Sequence, residues 1–289
     1  MIEAIFSLTV LVQAIRFAVP TALAAMCGAV TESSGVIDLA LEAKLLFGAF
    51  AAAAVAHATG SAYLGVLGGV GAGMAVAAVQ IWCALVLQAN QVIVGIGLNL
   101  LALGGTRFLL QLIYHEGANS PAVPTFAGPL AANPVLWLAV LAALALPFAI
   151  RHTRWGLRLR AAGDRPDALV AAGVPPLRPR LYAALVGGAL AGAGGAQLSL
   201  SIGGFVADMS SGRGYAALAM VILAGWRPAL AALYCCGLAL ADAINFQLQL
   251  AGAGIPHELA QIIPHVLTIL VLVIVGGKHG RPPRSLGRV

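Results

Sequence analysis

Residues 62–87 read AYLGVLGGVGAGMAVAAVQIWCALVL, and this run contains no charged side chain. A helix needs about 20 consecutive apolar residues to cross the hydrocarbon core of a membrane, so the run is long enough to span it. Within it, Gly65, Gly69 and Gly73 recur at intervals of four residues. One face of the predicted helix therefore lacks side chains, and the backbone of another helix can pack closely against it.

The composition of the whole chain indicates the same environment. Apolar residues make up 61% and charged residues 9% of the 289 residues, against roughly 45–50% and 25% in soluble domains. A soluble fold cannot bury so much apolar surface. The sequence predicts an all-α integral membrane protein, a polytopic bundle of about eight transmembrane helices within a range of seven to nine, which forms a single domain over residues 1–289.

Apolar blocks bounded by charges and turn residues give approximate positions for these helices. The block at 45–58 is long enough to span if its helix begins near Gly35, whereas 215–224 predicts a short or broken helix. No removable signal peptide is predicted, so the first helix is expected to stay. The predicted helices lie at 5–25, 45–58, 62–87, 92–114, 135–150, 181–202, 215–224, 229–248 and 262–275.

Basic residues are concentrated in a few segments, and they predict the orientation of the chain. Residues 151–180 contain seven arginines, the tail at 278–289 contains four lysines and arginines, and Arg227 lies in a turn. Basic residues close to span ends are retained on the cytoplasmic side. We therefore expect these three segments to be cytoplasmic and the loop at 115–134 to lie outside.

Two helix starts resemble each other. GVIDLA at 35–40 and GRGYAA at 212–217 each lead into an alanine-rich helix, and five predicted crossings separate them. An odd number of crossings inverts the second copy, which is how many transporters build a site between repeats near the middle of the membrane. The alternative is two unrelated helix starts, because such composition is common in membrane helices.

The segment at 153–179 is polar, basic and rich in proline within an otherwise apolar chain. Residues 164–166 read as a helix start, 167–172 as about two turns, and Gly173 as the stop. A short helix on an aqueous loop can dock to a partner protein. The alternative is a solvated connector whose arginines only fix the topology.

Polar side chains within spans are costly, and they mark either a transport pathway or a bond between helices. A hydrogen bond between helices contributes about 1 kcal/mol or less. We predict that Asp38 and Glu42 share a helix face, since they are four residues apart. The predicted pathway residues are Glu32, Asp38, Glu42, Gln91, Asn99, Asp242 and Asn245, with Lys44 close to the first three.

Several kinds of site are missing from the sequence. It has no GxxxxGK[ST] phosphate loop, no HExxH pattern, and no catalytic or metal-ligating constellation. The chain therefore cannot hydrolyse ATP alone, and no cofactor is expected in it. Few aromatic residues, and none interleaved with basic ones, argue against nucleic-acid binding.

Four motifs resemble the permeases of ATP-binding-cassette (ABC) importers for ribose, branched-chain amino acids and nucleosides. They are RAAGDRP at 160–166 with AAGV at 171–174, ESSGVIDLALE at 32–42, GIGLNLLALG at 95–104, and GRGY at 212–215. The two glutamates of the second motif are most similar to the shorter permease of nucleoside and simple-sugar importers. The departures are Asp164-Arg165-Pro166 in place of Glu-Asn-Pro, and Asp38 and Ala43 in place of Asn and Gly.

The resemblance implies a transport subunit of a bacterial inner membrane that works with other proteins. These are a cytoplasmic ABC ATPase that binds ATP and Mg, a second homologous permease in a heterodimer, and an extracytoplasmic substrate-binding protein, with lipid around them. The resemblance assigns ATPase coupling to the cytoplasmic loop at 151–180, through Arg160, Gly163, Asp164, Pro166, Asp167, Ala168, Ala171, Ala172 and Gly173.

Two other functions remain open from the residues alone. A secondary transporter or channel is consistent with a repeat and with Asp242 in mid-membrane, and it would depend on an ion gradient. An intramembrane enzyme would need a paired nucleophile and base, or metal ligands, at membrane depth. The sequence offers neither set.

Overall fold

The computed structural model describes residues 8–126, 133–250, 266 and 282–287. These residues form helices joined by short connections, with no strand among the described parts. The predicted span at 262–275 lies, apart from residue 266, outside the described residues. The helices are α1 Leu8–Ser33, α2 Leu41–Thr59, α3 Ala62–Ile81, α4 Gln91–Tyr114, α5 Pro134–His152, α6 Arg154–Asp164, α7 Pro166–Ala171, α8 Leu177–Ile202, α9 Arg213–Leu223 and α10 Pro228–Leu250.

Seven of the described helices are long and apolar enough to cross a membrane, namely α1 to α5, α8 and α10. The prediction of an all-α polytopic membrane protein is confirmed. Helix α3 continues into a π-helical turn at Trp82–Val86, which completes the predicted span at 62–87. Helix α9 has only 11 residues, as the short helix predicted at 215–224 requires.

Two predicted boundaries near the first break are wrong. Helix α1 extends to Ser33 rather than residue 25, and α2 begins at Leu41, between the predicted start at residue 45 and the extended start near Gly35. The reason is that residues 34–40 leave the helical conformation together, starting at Gly35 with a φ of +93°. Glycine adopts such a positive φ without steric cost, so the helix ends there instead of continuing.

The centre of the bundle is built from α1, α2, α3 and α8, which pack backbone to backbone through glycines. A Cβ atom added at Gly48 of α2 would come within 2.8 Å of the Gly192 Cα of α8, and one at Gly73 of α3 would collide with the Gly188 carbonyl. Gly69 packs against the same stretch of α8. The predicted close packing along the α3 glycines is therefore confirmed.

The other spanning helices surround this centre. The most apolar windows of α4, α5 and α10 are 28%, 22% and 28% buried, against 67% or more for α1, α2 and α8. The outer helices carry large apolar side chains on their exposed faces, among them Ile93, Leu100, Phe108, Leu144 and Phe148. Such faces suit lipid or another apolar helix.

Two non-helical breaks enter the bundle from opposite ends. Residues 34–40 start beside Arg180, near the start of α8, whose Nε donates to the Ser34 carbonyl. They reach Asn99, which lies about 12 Å along α4 from the first residue of that helix. Residues 203–212 start beside the loop after α4, where the Val123 amide donates to the Gly203 carbonyl, and reach Glu42. Helices α2 and α9 thus both begin inside the bundle, as expected of an inverted pair.

The glycine packing predicts a position-specific loss of stability. Gly73→Ala places a methyl group against α8, and overpacking of this kind costs about 1–3 kcal/mol. Gly71→Ala, two residues away on the same helix, meets no atom within 4 Å. We expect the free energy of unfolding in detergent to fall for Gly73→Ala and to stay unchanged for Gly71→Ala. Equal stability of the two variants would contradict this packing.

Candidate functional site

Residues 36–39 of the first break make no backbone–backbone hydrogen bonds within the described part of the chain, and two glutamines bond the peptide groups at its centre instead. The Ile37 amide donates to Gln91 Oε1 at 2.7 Å, and the Ile37 carbonyl accepts from Gln80 Nε2 at 3.2 Å. Both glutamines are buried. Their amide groups therefore replace the backbone partners that a continuous helix would have provided.

Asn99 completes this replacement at the end of the break. Its Nδ2 donates to the Leu39 carbonyl at 2.8 Å and to the Tyr215 hydroxyl at 3.1 Å, while its Oδ1 accepts from the Ala43 amide at 2.9 Å. This amide links the start of α2 to α4 and α9. Its role in a solute pathway stays a prediction.

An ion pair lies at the junction of the break and α2. Lys44 Nζ is 2.6 Å from both carboxylate oxygens of Asp38, and both side chains are fully buried. The prediction that Asp38 shares a helix face with Glu42 is wrong, because Asp38 lies in the non-helical break. The carboxylate instead turns toward Lys44 and accepts a weak hydrogen bond from Cys27 Sγ at 3.5 Å.

Glu42 joins the two halves of the molecule. Its carboxylate oxygens accept from the Gly212 amide at 2.8 Å and the Gly214 amide at 2.6 Å, at the start of α9. Unpaired amides and the helix dipole make a helix N-terminus a favourable place for a carboxylate. Gly214 is needed here, because a Cβ atom at this position would overlap the backbone nitrogen and Cα atom of Glu42.

Glu32 binds the other end of α9. Its Oε2 accepts a hydrogen bond from the indole nitrogen of Trp226, in the turn after α9, and its Oε1 accepts from the Asp38 amide at 3.3 Å. The two glutamates of the ESSGVIDLALE motif therefore bracket α9, one at each end. We call Glu32, Glu42 and the residues 34–40 between them, together with α9, the break cluster.

Asp242 and Asn245 lie on α10, outside the hydrogen bonds of the first break. Asp242 and Glu42 both interact electrostatically with Arg213 at the start of α9. Asn245 Oδ1 accepts from Gln249 Nε2 at 3.2 Å. Arg213 and Trp226 were not among the predicted site residues, although an arginine and a tryptophan flanking a short apolar helix were the available signals.

The segment predicted to couple to an ATPase forms two short helices, α6 and α7. Thr153 caps α6 by accepting from the Gly156 amide at 3.1 Å, and Gly173 follows α7 with a φ of +73°. The local helix and stop are therefore as predicted. The exposed members of the predicted set are Arg160, Asp164, Asp167, Ala168, Ala171, Ala172 and Gly173; Pro166 is partly buried and Gly163 is buried.

Gly163 connects this segment to the first break. A Cβ atom at Gly163 would collide with the Ser33 carbonyl at the end of α1. The Ser285 amide and hydroxyl both donate to the Gly163 carbonyl, at 2.8 and 2.6 Å, and the Gly287 amide donates to the Gly35 carbonyl at 3.0 Å. The tail thus ties α6 to the start of the break.

The buried ion pair predicts strong coupling between its two members. Lys44→Met leaves the Asp38 carboxylate buried without its counter-ion, and such a loss costs about 3–5 kcal/mol. Asp38→Asn likewise leaves the Lys44 ammonium group buried without its counter-ion. We expect the double variant to be more stable than the sum of the single losses predicts, measured as unfolding free energies in a double-mutant cycle. Additive losses would mean that the two charges do not interact.

Comparisons with known proteins agree with this architecture. Residues 10–272 match the family described as the branched-chain amino acid transport system / permease component. A putative glucose ABC transporter permease protein, TsgC13 of Haloferax volcanii, is 34% identical over 76% of this chain and 71% of its own. No solved structure matches the chain significantly.

Two further relatives cover more of the chain. The guanosine ABC transporter permease protein NupQ of Bacillus subtilis is 29% identical over 92% of this chain and 91% of its own. The nucleoside ABC transporter permease protein NupC of Lactococcus lactis is 28% identical over 92% of each. With its family match over most of its length and its seven apolar helices, this multi-pass membrane chain belongs to the family of branched-chain amino acid transport system permease components.

Proposed function

We propose that this chain is the permease subunit of an ABC importer that moves nucleosides, or related simple sugars, across a bacterial inner membrane. The guanosine, nucleoside and glucose permeases among its relatives support this class of solute. The observation that carries the mechanism is the contact of Gly163 with Ser33, because it connects an exposed helix to the buried break.

A cytoplasmic ATPase docks on α7 in this proposal. Leu169 is buried and anchors the helix, whereas Val170 is 61% exposed beside the exposed Asp167 and Ala168. ATP and Mg are bound by that partner, which supplies the work. The permease family implies an ATPase and a binding protein in general terms; the second permease of a heterodimer is part of the proposal.

Movement of the docked helix reaches the break cluster over a short distance. Displacing α6 shifts Gly163 against the Ser33 carbonyl, and the tail residues carry the same displacement to Gly35. Glu32 and Glu42 then transmit it to both ends of α9. An alternating-access cycle needs an element of this kind, with connected parts that move together.

The predicted pathway residues differ in how much of their hydrogen-bonding capacity is still available. Asn99 uses its amide oxygen and nitrogen on protein groups. Gln91 Nε2 is buried and has no hydrogen-bond partner within the described residues. We propose that Gln91 offers this donor to a solute hydroxyl or carbonyl, and that Asp242 and Asn245 face the same pathway from α10. Glu32, Asp38 and Glu42 hold its wall in place.

The docking proposal predicts that one substitution on α7 releases the ATPase. Val170→Asp replaces an exposed apolar side chain with a charged one and does not disturb the core. The matched control is Leu157→Asp, which is 62% exposed but lies on α6. We expect co-purification of an ATPase from membranes to fall at least about tenfold for Val170→Asp, a loss of about 1.4 kcal/mol, and to persist for the control. Retention by both variants would place docking elsewhere.

The transmission proposal predicts a defect of a different kind at Gly163. Gly163→Ala pushes α6 away from Ser33 while leaving the exposed face of α7 intact. We therefore expect the ATPase to stay bound and to hydrolyse ATP, while solute uptake in membrane vesicles falls. Simultaneous loss of binding and uptake would mean that Gly163 belongs to the docking surface.

A further inference from the structure

A cavity of about 360 Å³ lies where α6 meets the start of α8, outside the break cluster. Two arginines from different helices line it, Arg158 of α6 and Arg178 of α8. Within the described residues, neither guanidinium group has an ion-pair or hydrogen-bond partner. Two unpaired guanidinium groups around one cavity are suited to a phosphate, which arginine binds through paired N–H donors.

A shallow apolar groove adjoins this cavity. It is lined by Leu146 of α5, Trp155 of α6, and Tyr182 and Val186 of α8. Trp155 and Tyr182 line the basic cavity as well, so the two spaces meet at these rings. Tryptophan and tyrosine are enriched at the boundary between hydrocarbon and water, where their rings have one apolar and one polar end.

The two spaces are aligned along the helix that they share. Arg178, Tyr182 and Val186 are spaced by four residues and therefore lie on one face of α8. Val186 is about 12 Å farther along this helix than Arg178. The basic end lies at the end of the span that the arginines of 151–180 place in the cytoplasm, and the groove leads from it toward the hydrocarbon.

We propose that this surface binds one anionic phospholipid, with its phosphate between Arg158 and Arg178 and an acyl chain along Tyr182 and Val186. Basic pockets at the cytoplasmic ends of membrane helices bind anionic headgroups in this manner. The lipid contacts both α6 and α8, so it helps to fix the position of α7, which lies between these two helices in the chain. This inference does not depend on which solute the protein carries.

The test compares lipid binding to the purified full-length chain by native mass spectrometry. The probes are dioleoylphosphatidylglycerol and dioleoylphosphatidylcholine. We expect the double variant Arg158→Gln with Arg178→Gln to weaken binding of the anionic lipid by about thirtyfold. This is the combined contribution typical of two basic residues near an anionic surface. The matched control, Arg151→Gln with Arg227→Gln, removes the same charge on the same predicted side and should bind as the unaltered chain does.

A second variant distinguishes a lipid from a free anion. Val186→Trp fills the groove, so it should weaken dioleoylphosphatidylglycerol but not dihexanoylphosphatidylglycerol, whose chains are too short to use the groove. The proposal is overturned if both arginine pairs have equal effects, or if millimolar inorganic phosphate displaces the lipid. It is also overturned if Arg158→Gln with Arg178→Gln leaves lipid binding unchanged and releases the ATPase, because the cavity would then belong to that partner.

Discussion

The backbone of residues 36–39 makes no helical hydrogen bonds within the described part of the chain, and a membrane interior offers no water to replace them. Non-helical backbone is tolerated at that depth only where protein groups satisfy it. Gln80, Gln91 and Asn99 do so from the neighbouring helices α3 and α4. The rest of the arrangement follows from this requirement, since these three side chains fix where the helices around the break must lie.

Carboxylates extend the same principle to the second break. Glu42 occupies the start of α9, where amides would otherwise be unpaired, and Glu32 holds the turn at its other end. The start of α9 depends for its hydrogen bonds on a side chain of α2, and the start of α2 depends on Asn99 of α4. The two breaks therefore form one connected unit, which in the proposed mechanism carries a shift at Ser33 to both ends of α9. We propose that this connection is the route by which an ATPase outside the membrane acts on a site within it.

Much of the fold was predictable because apolar length and glycine spacing are local properties of the sequence. The short helix Pro166–Ala171 and its stop at Gly173 also follow from local signals, namely a proline start and a glycine that tolerates a positive φ. The partner of Asp38 was not predictable in this way. A spacing of four residues indicates a shared face only within a continuous helix, and the position of the break depends on side chains from α3 and α4. Arg213 and Trp226 were missed for the same reason, since their partners are distant in the sequence.

The most direct test is uptake of a radiolabelled nucleoside into proteoliposomes that contain this chain together with its proposed partners, namely a second permease, an ATPase and a binding protein. The account predicts uptake that requires ATP and the binding protein, and that continues after ionophores collapse proton and sodium gradients. Uptake by the permease without the ATPase, abolished by those ionophores, would contradict it and would identify a gradient-driven carrier instead.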